Sequence, residues 1–149
     1  MDQPAKNRYE NLTRQVSAIG AVKRGMARSL PADCPPGTAG VLALVHRHGD
    51  LRIGRISELM GVDMSVSSRH VAHAVERGWV ERLPDPDDRR SRILRLTPAG
   101  GDKLTELDRR LTAMLAEKLA DWSDDDIELL TSLLTRFRDA FGDCRAHHA

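Results

Sequence analysis

The chain has 149 residues, with 23 lysines and arginines against 22 aspartates and glutamates, and a formal net charge of +1. This length suits a single domain that buries its own core, and the balanced total gives no argument for nucleic-acid binding. Its two cysteines exclude a disulfide framework, and no apolar run reaches the roughly 20 residues of a membrane span. The first ten residues are polar and charged, unlike a signal peptide, so we expect a cytoplasmic protein with no membrane contact.

The charges are unevenly distributed along the chain. Residues 1–96 hold 16 basic and 11 acidic side chains, whereas residues 97–149 hold 7 and 11. A basic first part and an acidic last part are typical of a DNA-binding protein whose second part stays away from phosphates.

Apolar periodicity predicts helices over most of the first part. A helix over about residues 6–29 ends at the proline-rich segment 31–36, and a second helix starts near Pro36 and ends at Gly49. A short helix over about residues 53–60, a turn containing Gly61 and a helix over about residues 65–77 follow. Two helices joined by a glycine turn indicate a helix-turn-helix unit.

A β-hairpin is predicted after Gly78. Two apolar runs, 79–80 and 93–94, flank a tip rich in proline and aspartate, which is typical of a hairpin. The tip carries Arg89 and Arg90. A projecting hairpin with arginines at its end suits a narrow DNA groove, where the negative potential is concentrated.

The last third of the chain is predicted to be helical. Thr97 is the expected N-cap of one helix, and leucines three or four residues apart form a stripe between residues 104 and 119. Ser123 is the expected N-cap of the last helix. The apolar face of that helix consists of Ile127, Leu130, Leu133, Leu134, Phe137 and Phe141.

The helix over residues 65–77 has one apolar strip that should pack on the domain, and we expect its opposite face to meet DNA. Arg69 suits a guanine edge, Val66 suits a thymine methyl group, and small hydroxyl residues at the helix start let the backbone approach phosphates. His73 is expected to contact a phosphate or nothing. The predicted contacts on this helix are Ser65, Val66, Ser68, Arg69 and His73.

The pattern Asp88-x-Arg90 followed by Leu96-Thr97 resembles the wing signature of the MarR family of winged-helix transcription regulators. The pair Ser68-Arg69 is similar to the Ser or Thr followed by Arg in that family's recognition helix. The resemblance implies a homodimeric, sequence-specific regulator that acts as a repressor. It would bind a pseudo-palindromic operator on double-stranded DNA, with the recognition helix in the major groove and the wing in the minor groove.

For the wing, this resemblance implies the roles of Asp88 and Arg90, and the charges of the other tip residues suggest theirs. Arg90 would enter the minor groove and Arg89 would contact a phosphate. Asp88 would hold Arg90 through a charge-assisted hydrogen bond. Asp85 and Asp87 would add negative charge near the phosphates and weaken binding by the wing.

The implied fold is mainly α with a small β-hairpin, in one MarR-type domain over residues 1–149. A winged helix-turn-helix DNA-binding lobe would span about residues 35–97, and a helical dimerisation lobe about residues 5–34 and 98–145. The first and last helices of two subunits would intertwine. The expected interface residues are Leu12, Val16, Leu130, Leu134, Phe137 and Phe141.

Regulators of this family are often released from DNA by a small ligand, commonly an anionic aromatic molecule. The resemblance implies a cleft lined by the first two helices and the start of the fifth, and we assign Arg24, Met26, His46 and Arg47 to it. The sequence has no nucleophile elbow, phosphate-binding glycine loop or paired-histidine motif, so we expect neither an enzyme nor a cofactor.

Two other hypotheses stay open at this point. A metal- or thiol-responsive sensor would use His46, His48 and Cys34, or the terminal group Cys144, His147 and His148, although neither set has a zinc-binding spacing and we predict no metal. Thiol sensing would need a cysteine of low pKa, and only Arg28 is near Cys34 in sequence. The remaining alternative is a winged helix that contacts only other proteins.

Overall fold

The computed structural model describes residues 3–142 and is mainly helical with one antiparallel hairpin, which confirms the predicted fold class. The described elements, in chain order, are α1 (Gln3–Arg28), α2 (Pro36–His48), α3 (Ile53–Met60), α4 (Met64–Glu76), β1 (Val80–Pro84), β2 (Arg92–Leu96), α5 (Pro98–Lys118) and α6 (Asp124–Ala140). The predicted positions differ from these by a few residues at the ends, which is the usual uncertainty of helix boundaries.

Local signals set several of these boundaries. The Thr97 hydroxyl accepts the backbone N–H of Gly100 at 3.1 Å, and the Ser123 hydroxyl accepts that of Asp126 at 3.2 Å, so both predicted N-caps are confirmed. Gly61 ends α3 with φ 65° and ψ 36°, a left-handed conformation that glycine adopts without strain. The chain therefore turns from α3 into α4 within a short connection.

The hairpin is fixed to the helix-turn-helix unit at its base. Its register pairs Val80 with Leu96 and Pro84 with Arg92. Leu51, just before α3, exchanges two backbone hydrogen bonds with Leu94, at 3.1 and 2.8 Å. The wing strands are therefore joined by backbone hydrogen bonds to the segment that leads into α3.

The chain divides into a larger unit that ends at Met114 and a smaller unit that begins at Leu115, so the boundary lies inside α5 rather than at its start. The core of the larger unit comes from the segment before α2, from α2, α3 and α4, from the hairpin and from α5. Its buried apolar residues are Cys34, Val41, Leu42, Val45, Ile56, Val71, Ala74, Trp79, Val80, Leu94 and Leu107.

Two helices bury none of their described residues. These are α1 and α6, and both carry large apolar side chains that are exposed in the single chain, such as Tyr9 and Leu129. Contiguous exposed apolar surface usually marks a binding surface. Within residues 3–142, no helix is both long enough and apolar enough to cross a membrane.

A close backbone contact joins the start of α5 to the hairpin. The Trp79 carbonyl accepts the backbone N–H of Thr97 at 3.0 Å. A Cβ atom on Gly100 would lie 2.1 Å from that carbonyl oxygen and 2.7 Å from Cδ1 of Leu96. The first turn of α5 can approach the hairpin this closely only because residue 100 has no side chain.

Gly100→Ala is therefore expected to lower the free energy of unfolding by about 1–3 kcal/mol, because backbone atoms must move apart. Gly101→Ala is the matched control, since a Cβ there meets no described atom within 4 Å, and it should raise that free energy by about 0.5–1 kcal/mol. Urea denaturation of both variants at one fixed protein concentration measures the difference. Equal stabilities would contradict the close contact.

Candidate nucleic-acid interface

One side of α4 packs against α2 and α3. Ser67, Val71 and Ala74 are fully buried and Val75 is half-buried, which confirms the predicted inward strip. The position of α4 in the larger unit is thus set by its packing on two helices rather than on one.

The other side of α4 is open. Ser65, Ser68 and Arg69 are exposed and Val66 is half-buried. The N-cap residue Asp63 makes no side-chain capping bond to a described residue, so the amino end of α4 keeps backbone donors for an anion. Four of the five predicted contacts on this helix therefore lie where a duplex could reach them.

His73 is the exception, and its predicted position on the open face is wrong. Its Nδ1 atom lies 3.0 Å from the hydroxyl of the buried Thr38, and its ring meets Trp79 edge-on with the ring centres 6.1 Å apart. His70, one turn earlier, lies so close to α2 that a Cβ on Gly37 would be 2.1 Å from the imidazole. Both histidines hold α4 against α2.

The wing tip is ordered by Asp88, but not in the predicted way. One carboxylate oxygen accepts the backbone N–H of Arg90 at 3.0 Å, and the other accepts the hydroxyl of Ser91 at 3.0 Å. Asp88 therefore fixes the backbone of the turn instead of holding the guanidinium group. The side chains of Arg89 and Arg90 are exposed and form no ion pair with any residue of the described chain.

Asp85 is buried at the wing base, which corrects the expectation that it adds charge near the phosphates. It accepts the Nε–H of Arg52 at 2.6 Å and the backbone N–H of Asp87 at 2.9 Å. The bond from Asp87 and the pairing with Arg52 hold the pKa of the Asp85 carboxyl below its ordinary value. Asp87 itself is exposed, as expected.

A second ion pair supports the hairpin from the end of α2. Asp50 accepts two hydrogen bonds from Arg95, at 3.0 and 2.6 Å, and these bonds lower the pKa of its carboxyl. Nothing in the sequence indicates the pairs of Arg52 with Asp85 and of Arg95 with Asp50. Their partners are 33 and 45 residues apart, and no periodicity reports contacts at such separations.

A charged cluster lies at the C-terminal end of α4. Lys103 on α5 is buried, and its ammonium group donates to both carboxylate oxygens of Asp33 and to Glu106, each at 2.9 Å. Burial alone would lower the pKa of Lys103, but these hydrogen bonds together raise it, and the bond from Lys103 lowers the pKa of Asp33. Arg77, directly after α4, also donates to Asp33 at 3.3 Å.

A groove of about 330 Å³ lies between α1, α2 and the part of α5 in the larger unit. Met26 lines it, as expected, but Arg24, His46 and Arg47 do not, because they are exposed outside it. Its charged residues are Lys23 and Asp108, and its walls are otherwise apolar. The helical repeat puts Lys23 on the same face of α1 as Met26. This spacing indicates Lys23, and not Arg24, as the cation that lines the groove with Met26.

The geometry disfavours a thiol or metal sensor within the described chain. Cys34 is fully buried, and burial raises the pKa of its thiol, whereas a reactive thiol needs a lowered pKa. His, Cys, Asp and Glu residues between 3 and 142 form no group of three that could hold a metal ion. Cys144, His147 and His148 lie outside the described residues.

The model of the MarR family matches residues 33–91. Among curated proteins, the uncharacterised HTH-type transcriptional regulator YdgJ of Bacillus subtilis is 24% identical over 71% of this chain, which spans 65% of YdgJ. The multiple antibiotic resistance protein MarR of Salmonella typhimurium is 26% identical over 71% of this chain and 74% of its own length.

Solved structures have the same fold. A mutant of Escherichia coli MarR superposes with a TM-score of 0.75 at 24% identity, covering 85% of this chain and 95% of that one. The same mutant complexed with operator DNA gives 0.66 at 24%, covering 92% and 99%. The PcaV regulator of Streptomyces coelicolor, in complex with its natural ligand, gives 0.59 at 24%, covering 87% and 90%.

Asp85→Ala is expected to release the wing tip, because both the Arg52 pair and the bond to Asp87 are lost. Hydrogen exchange of the Asp87 and Arg90 amides should accelerate by about ten-fold, since local opening then costs less. Asp87→Ala, an exposed change in the same loop, should leave the rate at Arg90 near that of the wild type.

The pH dependence of the wing follows from the same carboxyl. Its pKa is lowered in the folded state, so its stabilisation is complete above the ordinary carboxyl pKa and is lost as pH falls through the lowered one. Equal exchange rates of the Arg90 amide in Asp85→Ala and Asp87→Ala would contradict this role of Asp85.

Proposed function

We propose that this chain is a MarR-type winged-helix transcriptional regulator, and that it is a homodimeric repressor that binds a pseudo-palindromic operator. The recognition helix α4 enters the major groove of double-stranded DNA, and the wing tip enters the adjacent minor groove. The protein acts in the cytoplasm as a regulator and not as an enzyme.

The observation that carries this proposal is the set of arginines left without acidic partners. Arg69 on α4 and Arg89 and Arg90 on the wing are exposed, and none forms an ion pair within residues 3–142. The arginines at the base of the same lobe are paired instead, Arg52 with the buried Asp85 and Arg95 with Asp50. Basic groups free to meet phosphates and base edges are what DNA recognition requires.

The groove between α1, α2 and α5 is the proposed site of a small effector. Its apolar walls and the single ammonium group of Lys23 suit an organic molecule with an acidic group. The ligand-bound PcaV structure supports this assignment by analogy of fold.

Selection of bound duplexes from a random pool, followed by titration of the preferred duplex at two salt concentrations, tests the DNA-binding proposal. An inverted repeat is expected. Arg69→Ala should relax the preference at one base pair per half-site by about 1–3 kcal/mol. Arg90→Ala should weaken binding to many sequences and reduce the salt slope by about 1, because a cation near the phosphates is lost.

Arg109→Ala is the matched control, because it removes one exposed arginine from α5 in the same unit. It should leave both the preferred sequence and the salt slope unchanged. If no duplex is enriched, the proposed function fails. If Arg69→Ala keeps the full base preference, α4 is not the reading helix.

The dimer proposal rests on two helices whose apolar faces lack a described partner. On α1, Leu12 and Val16 are exposed, and the helix has six basic residues and one acidic residue. On α6, Leu130 and Leu134 are exposed and Phe137 is half-buried, and Phe141, directly after the helix, is 77% exposed. The helix has five acidic and two basic residues. The opposite charges of the two helices favour pairing with a second copy, in addition to burial of the apolar faces.

Leu134→Glu is expected to convert the dimer into a monomer at micromolar concentration, because a buried unpaired charge costs several kcal/mol. Ser132→Glu adds the same charge on the other side of α6 and should leave the dimer intact. Sedimentation velocity distinguishes the two states. A wild type that sediments as a monomer would exclude the dimer.

A further inference from the structure

Charged groups converge on Trp79, which lies in the chain between α4 and β1. The ammonium group of Lys103 lies 5.1 Å from the centre of the Trp79 ring, and the guanidinium carbon of Arg77 lies 5.2 Å from it. Both cations also donate to Asp33. A buried lysine is stable only when its charge is paired, so Lys103 and Asp33 hold each other in place.

This arrangement joins three segments at one carboxylate. Asp33 lies in the connection between α1 and α2, Lys103 lies one turn into α5, and Arg77 is the residue that ends α4. The C-terminal end of the recognition helix is therefore bonded to Asp33 and, through Asp33, linked to α5. Neither segment makes any of the predicted DNA contacts.

The same two segments form walls of the groove. Leu30 and Pro36, on either side of Asp33 in the chain, line it. The groove is also lined by Leu104, which directly follows Lys103 on α5, and by Leu107, which directly follows Glu106. One wall of the groove therefore contains Asp33 in its segment, and the other contains Lys103, which donates to Asp33.

We propose that Lys103 is a positioning residue for the recognition helix. Together with Asp33 it holds Arg77, and it couples a displacement of the groove walls to the position of the C-terminal end of α4. The inference rests on the proposed function, because it gives the groove a route to the DNA-reading surface. Lys103 is buried and acts on DNA only through Asp33, Arg77 and Trp79.

Hydrogen exchange on the free, full-length protein is the first test. Lys103→Met keeps an aliphatic chain against Trp79 and removes the charge, and the amides of residues 77–79 should then exchange about ten-fold faster. Asp33→Asn should give the same local change, and the double variant no more than the larger single effect, since both act through one contact. Arg110→Met removes the exposed partner of Glu106 and should change nothing at residues 77–79.

Unchanged exchange at residues 77–79 in both single variants would overturn the inference. A uniform acceleration over the whole core would overturn it too, because it would mean general support of the fold instead of control of one helix end. This test involves no DNA, so it decides the inference even if the proposed function fails.

A double-mutant cycle tests the connection to the groove. Ala27→Phe fills the groove from α1, and it should weaken binding to the selected duplex about five-fold in the wild-type background. In the Lys103→Met background the same change should weaken it less than about two-fold, because the connection to α4 is missing. Lys103→Arg, which keeps the charge, should restore part of the coupling.

An equal effect of Ala27→Phe in both backgrounds would overturn the groove connection. The same cycle is also measured by hydrogen exchange of the amides of residues 77–79. Ala27→Phe should change their exchange rates only when Lys103 is present. If the wild type binds no duplex, the proposed function is contradicted, and the exchange cycle still accepts or rejects the connection.

Discussion

The packing around Trp79 is the constraint on which the rest of the larger unit depends. Its backbone N–H donates to Ala74 near the end of α4, and its carbonyl accepts from Thr97 at the start of α5. The ring is buried against Lys103, Arg77 and His73. One residue thus links the end of α4, the start of the hairpin and the start of α5.

The wing shows how acidic residues can be accommodated in a surface that we propose to bind DNA. Asp85 is buried and paired with Arg52 at the start of α3, and Asp88 accepts a backbone N–H and a hydroxyl within the turn. Both carboxylates are therefore occupied by groups of the protein itself. Each bond removes a degree of freedom from the loop. A tip that is already ordered loses less conformational entropy when it enters a groove.

What the sequence could predict was mostly local. The caps at Thr97 and Ser123, the turn at Gly61 and the inward strip of α4 all depend on residues within one or two turns of each other. The predictions that were wrong concern pairs distant in the chain. The sequence predicts His73 on the open face because the apolar residues of α4 mark a single strip. In the structure α4 also packs on α2, so the part of its surface that is covered is wider than that strip. The lining of the groove by Lys23 and not by Arg24 likewise depends on how the helices are arranged in space. The same is true of the ion pair between Lys103 and Asp33.

The charge distribution explains how a chain with a net charge of +1 can present a basic surface. In the first part of the chain, Asp33, Asp50 and Asp85 are each paired with a basic side chain of the same unit. These pairs neutralise acids in the interior and at the base of the hairpin. The surplus of positive charge is then left on exposed arginines, where a phosphate backbone can reach it. A protein of this kind needs no excess of lysine and arginine overall, because pairing decides which charges remain available at the surface.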